Sequence, residues 1–201
     1  MNKDRKRLYD VEAGKAWGWW KSLQPDDANG HRGDRATLAR LKRASSILEA
    51  MSEPAVAELY RRLGFKHTKH DAERDGPRAA LIAAVLAHVR KDDEKLTPLA
   101  RAIGAPRGGD DSQQLVTPLR FKRIVAAREP DELLVAFRRA VAILGDTANV
   151  SDLARTLLAF TDPVDNRADI ARTQFAFAYH GAARFAPETN ASPDTTIATE
   201  A

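Results

Sequence analysis

The sequence predicts an all-α protein: two small helical bundles joined by a polar linker and followed by a disordered C-terminal tail. Three observations carry this. Apolar residues recur at helical spacing, as in Phe121, Ile124 and Val125 and again in Leu134, Phe137, Val141 and Leu144. No stretch alternates apolar with polar residues over the length of a strand, so no half-buried sheet is expected. Residues 105–114 (Ala-Pro-Arg-Gly-Gly-Asp-Asp-Ser-Gln-Gln) interrupt the helical pattern with turn-forming and polar residues. They divide the chain into a first bundle over 1–104 and a second over 115–186, and 201 residues suffice to bury a core in either arrangement.

Residues 5–23 read as a first helix, with Leu8, Val11, Trp19, Trp20 and Leu23 apolar and Gly14 and Gly18 as weak points. Trp17, Trp19 and Trp20 cannot share one face. They are candidates for packing on a neighbouring helix or for a partner interface, and a base-stacking platform is the other use. Asp34 can cap a helix over 35–44, which puts Leu38, Leu41, Ser45 and Leu48 on one face. Arg40 and Arg43 lie three apart on another face, with Arg35 and Lys42 nearby. Ser52-Glu53-Pro54 opens a further helix through Leu63, closed by Gly64.

Residues 65–76 read as a polar connection, after which Pro77 starts a strongly apolar helix holding Leu81, Ile82, Val85, Leu86 and Val89, with His88 on its apolar side. A short helix over 97–103 ends at Gly104. Residues 119–144 then form a helical hairpin. Glu129-Pro130 breaks its first helix, because proline restricts its predecessor away from the helical region, and Pro130 opens the second with Asp131 and Glu132 in the first turn. Six basic residues stand here against three acidic ones: Arg120 and Arg123 share an outward face beside Lys122, and Arg138 and Arg139 flank the second apolar stripe. Ser151-Asp152 starts a helix with Leu153, Leu157, Leu158 and Phe160, and with Arg155 on its polar side. A last helix follows Asp162-Pro163 and includes Phe175, Phe177, Tyr179 and Phe185. From Pro187 to residue 201 few large apolar residues remain, which is the composition of a disordered tail.

Charge narrows the function. Residues 186–201 hold three acids and no Lys or Arg, so the body before them carries +7 against +4 for the whole chain. A basic body suits an anionic partner or serves only solubility, and charge alone does not choose. There is no cysteine, no apolar segment behind the basic N-terminus and no run of apolar residues long enough for a membrane span. A soluble, unexported, cytoplasmic protein is expected, with no membrane partner.

Enzymatic chemistry finds little footing. His67-Thr-Lys-His70-Asp71 is the one cluster that invites a metal, yet it sits in the expected polar connection, where nothing would hold the ligands' rotamers. Gly108-Gly109 lacks the spacing and the preceding strand of a phosphate-cradling loop. No catalytic residue, metal or cofactor is expected. What remains is arginine on helices: planar guanidinium groups three or four residues apart can follow a nucleic-acid backbone without reading its sequence, or can form a solvated face.

The order of segments Ala16-Trp-Gly-Trp-Trp-Lys-Ser-Leu23, Gly33-Asp-Arg-Ala-Thr-Leu-Ala-Arg40-Leu-Lys-Arg43-Ala, Leu119-Arg120-Phe-Lys-Arg123-Ile-Val, Asp131-Glu-Leu-Leu-Val-Ala-Phe-Arg138-Arg139 and Leu153-Ala-Arg155-Thr-Leu-Leu resembles the CasB small subunit of the type I-E CRISPR surveillance complex, Cascade. The resemblance spans most of residues 8–180; the polar insert before Leu115 and the tail have no counterpart in it. It implies a non-enzymatic helical protein acting in antiviral defence. Two copies would line the complex beside the crRNA backbone protein and the large subunit, holding crRNA, target DNA and the displaced single strand of the R-loop. On this resemblance Arg40, Arg43, Arg101, Arg120, Arg138, Arg139 and Arg155 fall on basic positions of the family pattern; Lys42, Lys122 and Arg123 rest on local charge. The alternative is a helical protein-interaction scaffold whose tryptophans bind partners and whose arginines form salt bridges between subunits.

Overall fold

A computed structural model describes residues 9–66, 68–93, 97–108 and 110–181. The fold is all-α, and each helix begins and ends for local reasons. Helix α1 (Asp10–Leu23) is followed by a single 3-10 turn and by α2 (Arg35–Arg43), whose cap Asp34 accepts the Thr37 N–H at 2.9 Å. Ser46 caps the short α3 (Ile47–Met51). Pro54 opens α4 (Pro54–Leu63), and Gly64 closes it with φ of 82°, a left-handed conformation that glycine adopts without a Cβ penalty.

Helix α5 (Lys69–Leu86) departs from the sequence expectation. Residues 69–76 are its first turns and not a connection, and Pro77 lies inside it. Thr68 supplies the true start by accepting the Asp71 N–H at 3.2 Å. Proline removes one intrahelical bond, but all of residues 79–87 are buried, and burying each large aliphatic among them is worth about 1.5–3 kcal/mol, which outweighs one lost bond. A helical segment apolar on every side, as α5 is from Ala79 onward, belongs at the centre of a domain. That is where α5 sits, touching α1, α2, α3 and α4.

Beyond it come β1 (Lys91–Asp92), α6 (Leu99–Gly104), β2 (Pro106–Arg107), β3 (Asp110–Gln114), α7 (Pro118–Ala126), α8 (Pro130–Ile143), β4 (Thr147–Ala148), α9 (Val150–Phe160) and α10 (Arg167–His180). The strands form two small ladders: β1 pairs with β4 in parallel and β2 with β3 antiparallel. The segment read as a linker thus carries a short hairpin, from which Val116 N–H returns to the Ile103 carbonyl at 2.9 Å. Apolar contacts run through the division expected there. Helix α5 packs on α8 and α9, α1 on α9 and α6 on α10, and buried apolar residues from Ala13 to Tyr179 make one cluster. At Gly104 a Cβ would run into the Tyr179 carbonyl, so glycine is what allows α6 to approach α10 so closely.

Two more expectations are corrected. Ser45 and Leu48 do not continue the apolar face of α2: that helix stops at Arg43, the chain restarts at Ser46, and Leu48 is exposed. Trp19 and Trp20, taken as partner-interface candidates, are 0% and 4% exposed in this chain's own core, their indoles donating to the Ala55 and Val89 carbonyls at 3.1 and 3.2 Å. Trp17 is half-buried, and its indole donates to the Asp92 carboxylate at 2.6 Å. The same carboxylate accepts the Val150 N–H at 2.9 Å, so Asp92 ties α1, β1 and α9 together. His67, Phe185 and the expected tail over 187–201 lie outside the described residues. No described helix is long and apolar enough to cross a membrane.

Candidate nucleic-acid interface

Helices α7 and α8 form the hairpin expected over 119–144. Thr117-Pro118 starts α7, and Glu132 holds the turn into α8 by accepting the backbone N–H groups of Arg128 and Glu129 at 3.0 and 3.4 Å. Phe121 from α7, and Leu133, Leu134, Phe137 and Val141 from α8, face the core, and Ile124, also buried, borders the groove. On the opposite side the two helices leave a groove of about 990 Å³. Arg120 and Arg123 on α7 and Arg139 on α8 line it, above a floor of Val116, Ile124, Val135, Ala136, Ala140 and Ile143.

The groove lining stays net positive, three arginines against the two carboxylates of Asp131 and Glu132. Asp131 lines it too, but its carboxylate accepts the Ile47 N–H at 2.7 Å, at the start of α3, and Glu132 is held by the two backbone donors just named. Among the described residues Arg120, Arg123 and Arg139 form no ion pair. All three are exposed, so their guanidinium forks are available to an anion brought from outside.

The other expected arginines sit elsewhere. Arg138, next to Arg139, turns inward: its guanidinium donates to the Ala44 and Leu41 carbonyls at 2.7 and 2.8 Å and closes the C-terminus of α2. Burial pushes its pKa down from the ordinary arginine value, against the pull of Glu49. Arg155 lies half-buried between Asp10 and Asp152, at 2.8 and 3.1 Å. Arg40 is exposed but engaged, with Glu53 at 2.8 Å and the Thr37 hydroxyl at 2.9 Å; the hydrogen bond to Glu53 raises its pKa. Arg43 is exposed in the last turn of α2, with Lys42 half-buried beside it. Lys122 is exposed on α7 but does not line the groove, and Arg101 is exposed on α6.

Sequence reasoning missed the buried cations. Arg78 donates to Asp75 at 2.8 Å and to the Leu158 carbonyl at 3.2 Å, and Arg172 donates to the Ala127 carbonyl at 2.9 Å while lying over the Phe160 ring. Polar helix positions gave no sign of this, apart from the i, i+3 spacing of Asp75 and Arg78. His88, expected on an apolar side, is half-buried with Nε2 lacking a hydrogen-bond partner; burial, then the nearby Arg138 and Lys42 charges, push its pKa down. Among the described residues no group of three or more His, Asp or Glu side chains could hold a metal ion.

The sequence model of the family described as CRISPR-associated protein Cse2 matches residues 37–180, from α2 to the end of α10. No curated protein and no solved structure gives a significant match. The family match takes in the α7–α8 groove and well over half of the chain, which therefore belongs to the Cse2 family, also called CasB, the small subunit of type I-E Cascade.

Proposed function

We propose that this chain serves Cascade as a non-enzymatic holder of nucleic acid, and that the α7–α8 groove is the surface it uses. The observation that carries the reading is the convergence of Arg120, Arg123 and Arg139 from two helices on one groove, with the acids beside them held by backbone N–H groups. Lys42 and Arg43 at the end of α2 extend the basic surface, because Arg138 ties that end of α2 to α8. Lys122, Arg101 and Arg40 are peripheral contributors in this reading. Arg138 and Arg155 hold the scaffold.

Scattered guanidinium groups bind phosphates without reading bases, which suits strands of any sequence: crRNA, target DNA and the displaced strand. Exchange of a DNA duplex for an RNA–DNA heteroduplex is nearly balanced in free energy, so a few backbone contacts that hold the separated strands tip it towards the R-loop. The setting is the cytoplasm, beside the crRNA backbone protein, the large subunit and a second copy of this chain. Single-stranded DNA binding by the full chain, measured by anisotropy across a salt series, tests the groove. Three phosphate contacts contribute about −2 to the slope of log affinity against log salt, so R120A/R123A/R139A should lower the steepness by about that amount. An unchanged slope would place binding elsewhere.

A further inference from the structure

The floor of the α7–α8 groove calls for a partner beyond phosphate. Val135 is 44% exposed there, with the half-buried Ala136 and Ile143 beside it and Val116 and Ile124 buried beneath, and a sugar–phosphate backbone would leave the Val135 side chain wet. An apolar side chain flanked by carboxylates would cover the floor and pair with the arginines at once.

We propose that residues 182–201 of this same chain dock in the groove and compete there with nucleic acid. The competition rests on the function proposed above; the docking does not.

Three observations select this occupant. The first is where the described chain ends. Helix α10 closes at Gly181 against α7: the Tyr179 ring stacks on Phe121 with centroids 3.7 Å apart, and the His180 ring is 5.6 Å from the same Phe121. The Tyr179 hydroxyl donates to the Val116 carbonyl at 2.6 Å, and Val116 lines the groove. Residues 182–201 therefore follow a helix end that packs on α7, the helix forming one wall of the groove. The second is charge: they contain Glu188, Asp194 and Glu200 against the single Arg184, opposite in sign to the arginines they would meet. The third is pattern. Asp194-Thr-Thr-Ile197-Ala-Thr-Glu200 sets one large aliphatic side chain between acids three residues to either side, as the groove sets an apolar floor between arginines.

Reach does not limit the docking. Glu188 lies seven positions beyond Gly181 and Asp194 thirteen, spans of up to about 25 and 45 Å when extended. The nine residues of α7 are only about 14 Å long. A tethered segment acts at an effective concentration in the millimolar range, so even weak docking occupies the groove for much of the time and yields to a tightly held strand.

The test uses the full chain with E188Q/D194N/E200Q, made both alone and together with R120A/R123A/R139A. Affinity for a labelled oligo(dT) is read by anisotropy at 0.1 M salt. Alone, the neutralised segment should tighten binding about three-fold, the gain expected when the effective concentration is about twice the segment's own dissociation constant. In the groove variant the same substitutions should change nothing. Equal tightening in both backgrounds would mean simple charge attraction and would overturn the competition, as would no tightening at all.

Docking itself is read without nucleic acid. Because the chain has no cysteine, S192C gives a unique site for a photo-crosslinker. Cross-links within one chain to peptides of 116–143, lost when oligo(dT) is added, are expected. Cross-links confined to other regions, or joining two chains, would overturn the docking. If the groove variant binds oligo(dT) as tightly as the unaltered chain, the nucleic-acid role fails by itself, and the cross-link then upholds or overturns the docking independently.

Discussion

Arg138 and Arg139 are adjacent, carry the same charge and should answer truncation in opposite ways. The Arg138 guanidinium gives two hydrogen bonds, at 2.7 and 2.8 Å, to carbonyls at the end of α2. Hydrogen bonds to a charged group contribute about 1.5–3 kcal/mol each; the group's own burial offsets part of this, which leaves a net loss of about 2–3 kcal/mol in R138A. For a chain of this size the melting temperature should fall by roughly 5–10 °C. Arg139 is exposed and makes no ion pair among the described residues, so R139A should stay within about 0.5 kcal/mol of the unaltered protein.

Binding reverses the order. Losing one phosphate contact changes log affinity by about 0.7 per decade of salt, so R139A should weaken single-stranded DNA binding about five-fold at 0.1 M salt, taking 1 M as the point where the contact vanishes. R138A should change it by less than about two-fold, the long-range effect of one charge. Thermal unfolding and anisotropy on the two purified variants give both readings. The reasoning is refuted if R138A melts with the unaltered protein, or if both variants lose affinity equally.

Two other buried groups make sharp tests. Asp75 is 2% exposed and accepts from Arg74 at 2.6 Å and Arg78 at 2.8 Å, so D75N, which strands the buried Arg78 charge, should cost about 3 kcal/mol in urea unfolding. Burial alone would raise the Asp75 pKa, but the bonds from Arg74 and Arg78 outweigh it and hold the carboxyl below its ordinary value. Its contribution is therefore complete above the unfolded pKa of about 4 and is lost as pH falls through the folded one; D75N should flatten that acid limb. His88 has a folded pKa held below the ordinary value by burial and then by Arg138 and Lys42, so below about pH 6.5 the unfolded chain takes up the proton more readily. Stability should fall as pH drops from 7 towards the folded pKa, by at most about 1.4 kcal/mol per pH unit, and H88Q should remove that slope while unfolding curves of the two proteins converge at pH 8.

Much of the fold was legible from local chemistry. Asp34, Pro54 with Gly64, and Glu129-Pro130 each mark a helix boundary by a short-range rule, and the structure follows all three. Long-range effects were not legible. The apolar run over 79–87 carries α5 through Pro77 because the core around it repays the lost bond, and a local reading of proline as a helix start cannot see that core.

The candidate site shows the same limit. Periodicity placed Arg120 and Arg123 on one outward face, but neighbours in a helix point about 100° apart, so only the packing of α2 against α8 distinguishes Arg138 from Arg139. The groove floor escaped notice because its small residues, Ala136 and Ala140, look like ordinary helix formers; they leave space that larger side chains would fill. Trp19 and Trp20 have composition typical of interfaces, yet their indole donors find backbone carbonyls inside the chain.

The central claim is that three groove arginines help to keep strands apart in Cascade. It is tested most directly by the lifetime of an R-loop formed by Cascade assembled with the R120A/R123A/R139A chain, challenged with competitor at 0.15 M salt. The account predicts normal assembly and an R-loop that collapses at least about ten-fold faster, a loss of roughly 1.4 kcal/mol of strand holding. An R-loop as long-lived as that of the unaltered complex would contradict it.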